Sequence, residues 1–325
     1  MRRRQFISLV AGGTVPWLTG IVHAAGRRPR LGILTLLSQN ESGGQLGAFV
    51  AGMKSLGYVD GQTIDIDYRY ADGDTEKLKP LAKELVSLAP AVVFASEPSS
   101  ARAAKNVQPD LPIVCSALND GVRDLFGSYA KPGGSVTGVT NIVEDLNGKL
   151  VDLAVEVIPG LQRIGLLVNP AGANHDFITQ QVKAAAALRS LAPVIEETRE
   201  PAALSSVFEQ FSKERVEAVI IAPNAMFINQ RALIISLALG RGLPPLFEDR
   251  EDAVAGGLLS YGVNQTYSSS RAASFVDRIL KGAKPADLPI EFPTQIELVI
   301  NLKTAKALGL NISREFQLRA DEVIE

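Results

Sequence analysis

The residues best suited to chemistry in this chain of 325 residues are few, and several of them sit together. In Ala-Ser-Glu-Pro-Ser-Ser-Ala-Arg-Ala-Ala, residues 95–104, Ser96, Ser99 and Ser100 crowd around Glu97 and Pro98. An apolar run, Ala91 to Phe94, precedes them and an alanine-rich helical pattern follows, which places the serines on a strand-to-helix corner. Two chemistries suit such a corner. A serine there can be a nucleophile if a base lies within hydrogen-bond reach and a third group orients that base. Short hydroxyls at a helix N-terminus can instead cradle a carboxylate through side-chain and backbone donors. A purely structural use competes with both: Ser96 or Ser99 capping the helix, worth about 1 kcal/mol.

The nucleophile reading lacks a nearby base. His23 lies in the N-terminal leader, so His175 is the remaining candidate, in the loop Asn-Pro-Ala-Gly-Ala-Asn-His-Asp-Phe of the second half. No Gly-x-Ser-x-Gly pattern surrounds the serines. Cys115, the one cysteine, excludes an intramolecular disulfide and sits in an apolar strand-like run as a buried thiol. No His-Glu-x-x-His motif occurs, and the acids of residues 72–77 lack the full calcium-loop pattern, so no metal is expected. Neither a dinucleotide fingerprint nor a phosphate loop occurs, so no cofactor is expected. A formal charge of -2, without a basic cluster in the body of the chain, argues against a nucleic-acid partner.

The first residues differ from the rest. Arg2, Arg3 and Arg4, a moderately apolar stretch and small residues around Ala24 have the pattern of an export signal over residues 1–24, cleaved near Ala24. Arg3-Arg4-Gln5-Phe6-Ile7 also resembles a twin-arginine signal, and a periplasmic location follows as the expectation.

The elements that must hold the corner in place are legible as a pattern. Short apolar runs alternate with segments of helical period, the signature of βα units on a parallel sheet. Residues 30–37, 63–71, 91–96, 111–117 and 134–140 predict strands; residues 44–58 and 75–90 predict helices between them. Arg-Ile-Gly-Leu-Leu-Val-Asn-Pro at 163–170 then echoes Arg-Leu-Gly-Ile-Leu-Thr-Leu-Leu at 30–37, and the series repeats. The expected architecture is α/β: lobe one from 27–141 plus 266–290, lobe two from 142–265 plus 291–325. A ligand of two such lobes binds at the carboxyl ends of their strands. Lobe one then offers Ser38, Ser96, Glu97, Ser99, Ser100, Asn119 and Asp120, and lobe two offers Asn169, Asn224, Phe227, Asp249 and Tyr261. Ser99 and Ser100 would hold an α-carboxylate, while a carboxylate opposite, Asp249, would take an ammonium group; Asp120 suits that role too. Phe227 and Tyr261 could cover an apolar side chain, although core packing is the better reading for any single aromatic.

Gly-Gly-Leu-Leu-Ser-Tyr-Gly at 256–262, residues 279–294, Glu-Leu-Val-Ile-Asn-Leu-Lys-Thr-Ala-Lys-Ala-Leu-Gly-Leu at 297–310, the tail 319–325 and residues 56–74 resemble the substrate-binding proteins of ABC transporters, in the family that includes tryptophan and other aromatic amino-acid binders. The resemblance spans nearly the whole chain after the leader. It implies a type I periplasmic binding-protein fold, two Rossmann-like doubly wound lobes joined by a multi-crossing hinge, with Thr140 and Asn141 beginning the hinge and facing the ligand. Other members often carry Asp-Pro-Val after the fourth strand; here Gly121 replaces the proline, within Asn119–Val122. The implied function is a monomeric periplasmic receptor that captures a small polar solute, an amino acid or related carboxylate, by lobe closure and delivers it to an inner-membrane permease. An exported sensor subunit is the alternative binding role, and a hydrolase using a cleft serine with His175 the enzymatic one.

Overall fold

The computed structural model describes residues 28–143, 145–172 and 174–325, with Asp120 placed by its backbone alone; the export signal expected at 1–24 lies outside the described residues. The first lobe runs β1 (Arg30–Thr35), α1 (Gly43–Ser55), β2 (Asp65–Tyr70), α2 (Thr75–Ser87), β3 (Val92–Ala95), α3 (Pro98–Val107), β4 (Ile113–Leu118) and β5 (Val136–Thr140). Its five strands are parallel in the order β2-β1-β3-β4-β5. β3 and β4 are buried along their whole length, as continuous apolar runs covered by helices on both faces must be. β2 sits at the edge and is half-buried throughout, which accounts for its alternation of charged and apolar residues. Phe49 of α1 stacks on Phe94 of β3, with ring centroids 3.9 Å apart, in the core on one face of this sheet.

The second lobe opens with α4 (Leu146–Val157), then β6 (Arg163–Val168), α5 (His175–Leu188), β7 (Ala192–Glu197), α6 (Leu204–Lys213), β8 (Ala218–Ile221), α7 (Ala225–Asn229), α8 (Arg231–Leu239), β9 (Pro245–Phe247), α9 (Arg250–Val254) and β10 (Leu259–Val263). The order β7-β6-β8-β9-β10 repeats that of lobe one, with the reversal of strand order now between β6 and β8. The chain then returns: α10 (Gln265–Leu280) packs against α1 of lobe one, and Glu291 bridges Val139 beside β5. It crosses again to add β11 (Ile296–Asn301), antiparallel to β10, then α11 (Leu302–Ala307), α12 (Arg314–Gln317) and β12 (Glu322–Ile324) at the far edge of the second sheet.

Among the described residues the chain passes between the lobes three times. Asn264, at the second crossing, caps α10 by accepting from the Tyr267 N–H at 2.8 Å, and its own N–H donates to the Gln295 carbonyl of the third crossing at 3.1 Å. No helix of the described residues is long and apolar enough to cross a membrane.

Candidate functional site

Both sheets aim the carboxyl ends of their strands into one cavity of about 1150 Å³, and the loops at the two strand-order reversals form its walls. From lobe one come Leu36 and Leu37 after β1, Ser96 to Ser99 after β3, Asn119 after β4 and Asn141 after β5. Lobe two contributes Asn169, Ala171, Gly172, Asn174 and His175 after β6, Asn224 after β8 and Asp249 after β9. The lining is rich in carboxamides and aliphatic side chains; among the described residues it contains no Phe, Tyr or Trp.

The structure therefore brings Ser96, Glu97, Ser99, Asn119, Asn141, Asn169, Asn224 and Asp249 together and leaves the other candidates elsewhere. Phe227 is buried among Phe208, Phe211 and Phe247 in a core of lobe two. Tyr261 lies on β10 against the larger core of that lobe. Thr140 is fully buried at the first crossing, its hydroxyl accepting from the Ile142 N–H at 3.1 Å. Asp120 opens the 3₁₀ turn after β4. Ser38 takes part in a contact between lobes: its N–H donates to Asn229 Oδ1 at 3.1 Å.

The serine corner is organised differently from either sequence expectation. The helix cap is Glu97, and neither Ser96 nor Ser99 caps α3; Pro98 occupies the first turn, where its missing N–H costs nothing. The Glu97 carboxylate accepts from the Leu36 N–H at 2.7 Å, from the Thr35 hydroxyl at 3.3 Å, and from the Ser96 and Ser100 hydroxyls. Ser100 is fully buried and points at Glu97. Burial raises the Glu97 pKa above the usual carboxylate range, and the four hydrogen bonds pull it part of the way back. His175, the only base the nucleophile reading had available, opens α5 between Asp176 and Glu197, each 2.9 Å away, with neither serine as a partner.

Asn119 carries the clearest sign of an unmet need. It is 7% exposed, lines the cavity, and its Oδ1 has no hydrogen-bond partner. An orphaned buried acceptor costs about 1–3 kcal/mol, which a bound donor would recover. It reaches the cavity because β4 and β5 shift register between Cys115 and Leu118, a bulge that re-aims the end of the strand.

Sequence reasoning missed the corner between α7 and α8. Asn229 lines the cavity and crosses to Ser38, and Arg231 joins Glu41 of lobe one to Asp252 of lobe two. Gly73 approaches so closely that a Cβ there would lie 2.7 Å from Asn229 Nδ2, and its φ of +82° also favours glycine. The lobes are thus in direct contact beside the cavity. The only signal in the sequence was that Asn224 to Arg231 mirrors the serine corner of lobe one.

Next to the cavity, β9 is followed by two half-buried carboxyls, Glu248 and Asp249. The Glu248 pKa is pushed up to about 8, first by burial and then by the neighbouring Asp249 charge. Asp249 is raised by burial and by Asp252, with Arg231 opposing. The folded state therefore keeps a proton on Glu248 that the unfolded chain releases above the ordinary carboxylate pKa. Stability should be greatest at the acidic side of this window and decline as pH rises towards about 8. A loss on the order of 2 kcal/mol is expected across it. Urea unfolding as a function of pH measures the slope, and Glu248→Gln should flatten it; an unchanged slope in that variant refutes the assignment.

The features described so far define a class: two-lobed binding proteins that enclose a small ligand between doubly wound sheets joined by several crossings. The family model for "ABC transporter substrate binding protein" matches residues 30–324, so the chain belongs to that family, whose members are substrate-binding proteins and not enzymes. A "Tyrosine-binding protein" of Clostridioides difficile (strain R20291) is 22% identical over 99% of this chain and 96% of its own length. An ABC domain from Streptococcus pneumonia, solved in complex with L-Trp, superposes with a TM-score of 0.84 at 24% identity, covering 92% of this chain and 100% of that one. A conserved domain protein of Vibrio cholerae gives 0.85 at 22% identity, over 91% and 100%. The fold is the type I periplasmic binding-protein fold.

Proposed function

We propose that the protein is the solute receptor of an ABC importer, exported to the periplasm, and that it holds an amino acid or related carboxylate between its lobes. The observation that carries this reading is the inter-lobe cavity at the strand-order reversals of both sheets, lined by an unpartnered Asn119 on one side and the carboxyl of Asp249 on the other. Ser99, Asn119 and Asn141 contact the solute from lobe one; Asn169, Asn224 and Asp249 contact it from lobe two. Asp249 takes the ammonium group, because its carboxyl accepts no hydrogen bond from the described residues and is held near the cavity away from bulk water. The similarity to a tyrosine binder and to an L-Trp complex supports an amino acid as the solute class. In place of aromatic rings, Leu36, Leu37, Met226 and Ile228 supply the apolar wall. Contacts to both lobes favour the closed state, and the permease would read that closed outline.

A thermal-shift screen of the proteinogenic amino acids, followed by calorimetry, tests this directly. A saturating solute should raise Tm by its preference for the folded state. If no amino acid or related carboxylate binds, the reading fails.

A further inference from the structure

We infer that Glu97 is a specificity-determining residue: it seats its own carboxylate on the donors of the serine corner and so excludes a solute carboxylate from them. The corner has the composition of an anion cradle. Three hydroxyls, from Thr35, Ser96 and Ser100, and the Leu36 N–H converge on it. The Leu36 N–H and the Ser96 and Ser100 hydroxyls donate to Glu97, and the Thr35 hydroxyl lies 3.3 Å from Glu97 and 2.7 Å from Ser96, so these donors are taken up within the chain. A second carboxylate could enter only beside the first, where like charges repel and, of the corner's hydroxyls, only that of Ser99 stays outside the network.

Two acceptors of the cavity lack a donor. Asn119 Oδ1 is buried without a partner, and the Asp249 carboxyl lies in the opposite wall. Both call for donors, which an ammonium group supplies. Two exposed cations, Arg199 of lobe two and Lys79 of lobe one, line the same cavity with no ion-pair partner among the described residues. The solute thus lies with its amino group towards Asn119 and Asp249 and its carboxylate towards these cations, away from Glu97.

This inference rests on the reading of the cavity as a solute site, yet it can be tested without the natural solute. Acetate at constant ionic strength is the probe. The unaltered protein should show no saturable Tm shift with acetate that depends on Ser100. Glu97→Ala should be less stable, recover with acetate in a saturable manner, and bind it at least about tenfold more tightly than the unaltered protein. Adding Ser100→Ala to that variant should remove the recovery, which ties it to the corner and not to a general salt effect. Should Glu97→Ala fail to fold, refolding in acetate against chloride asks the same question, with recovery in acetate alone as the supporting result. A saturable acetate shift in the unaltered protein that Ser100→Ala abolishes overturns the inference, as does a Glu97→Ala protein indifferent to acetate. A failed amino-acid screen would remove the proposed solute while leaving each of these acetate results readable.

Discussion

Gly138→Ala should unfold at much lower urea than the unaltered protein, with a loss of roughly 4 kcal/mol or more, and should not bind solute. Gly138 lies in β5 opposite Cys115 with φ of +142°, a backbone region that residues with a Cβ rarely enter. A Cβ there would fall 1.9 Å from the Cys115 carbonyl oxygen, far inside contact distance and against backbone that no rotamer change can move. The position coincides with the register shift that turns the end of β4 towards the cavity. Relief of the clash would therefore displace Asn119 together with the strand. Gly134→Ala is the control, because a Cβ there meets nothing within 4 Å. That variant should stay within about 0.5 kcal/mol of the unaltered protein. Equal midpoints for the two variants would show that β5 tolerates what its geometry forbids.

Asp249→Asn is the second large effect, and its signature is a split between binding and stability. Removing the carboxyl that meets an ammonium group should weaken an amino-acid solute by about 100-fold, in line with the 2–5 kcal/mol typical of losing one partner of a desolvated charged pair. Stability should hold or increase above neutral pH, because the pKa of Asp249 is raised by burial and by Asp252, so its ionised form is disfavoured in the fold. Ammonium binding needs that ionised form. The affinity of the unaltered protein should accordingly rise with pH above the ordinary carboxylate range, and the variant should lose this dependence. Calorimetry at several pH values decides it: parallel profiles for the two proteins would remove Asp249 from the solute contact.

The sequence was most informative where a residue's own environment is set by its neighbours in the chain. The apolar runs that became β3, β4 and β8 are buried throughout, because a strand covered on both faces has no solvent side to leave polar. The alternating runs became the half-buried edge strands β2 and β7. The helix expected over 44–58 is closed by Gly57, with φ of +91°, just after α1. In contrast, α4 went unread: it sits between a crossing and the first strand of lobe two, where the strand echo drew the boundary. Phe227 and Tyr261 illustrate a different limit. The sequence favoured core packing for each without excluding a cavity wall, and the packing of α7 and β10 sends them into the core.

What the sequence by itself determined is the βα alternation, the duplication into two lobes and the set of strand-end loops from which a site must be built. These follow from local periodicity, which the backbone enforces within a few residues. What only the tertiary structure decided is how those loops spend their polar groups. Ser99 and Ser100 stood out along the chain as the carboxylate holders, yet Thr35 and Leu36, 61 or 62 residues before Glu97, complete the cradle that holds Glu97 and turn Ser96 and Ser100 inward, leaving only Ser99 free of that network. Asn229 meets Ser38 across 191 residues. Hydrogen-bond partners so far apart in sequence are chosen by which strand ends the sheet order sets side by side, and that order is not written in any local pattern.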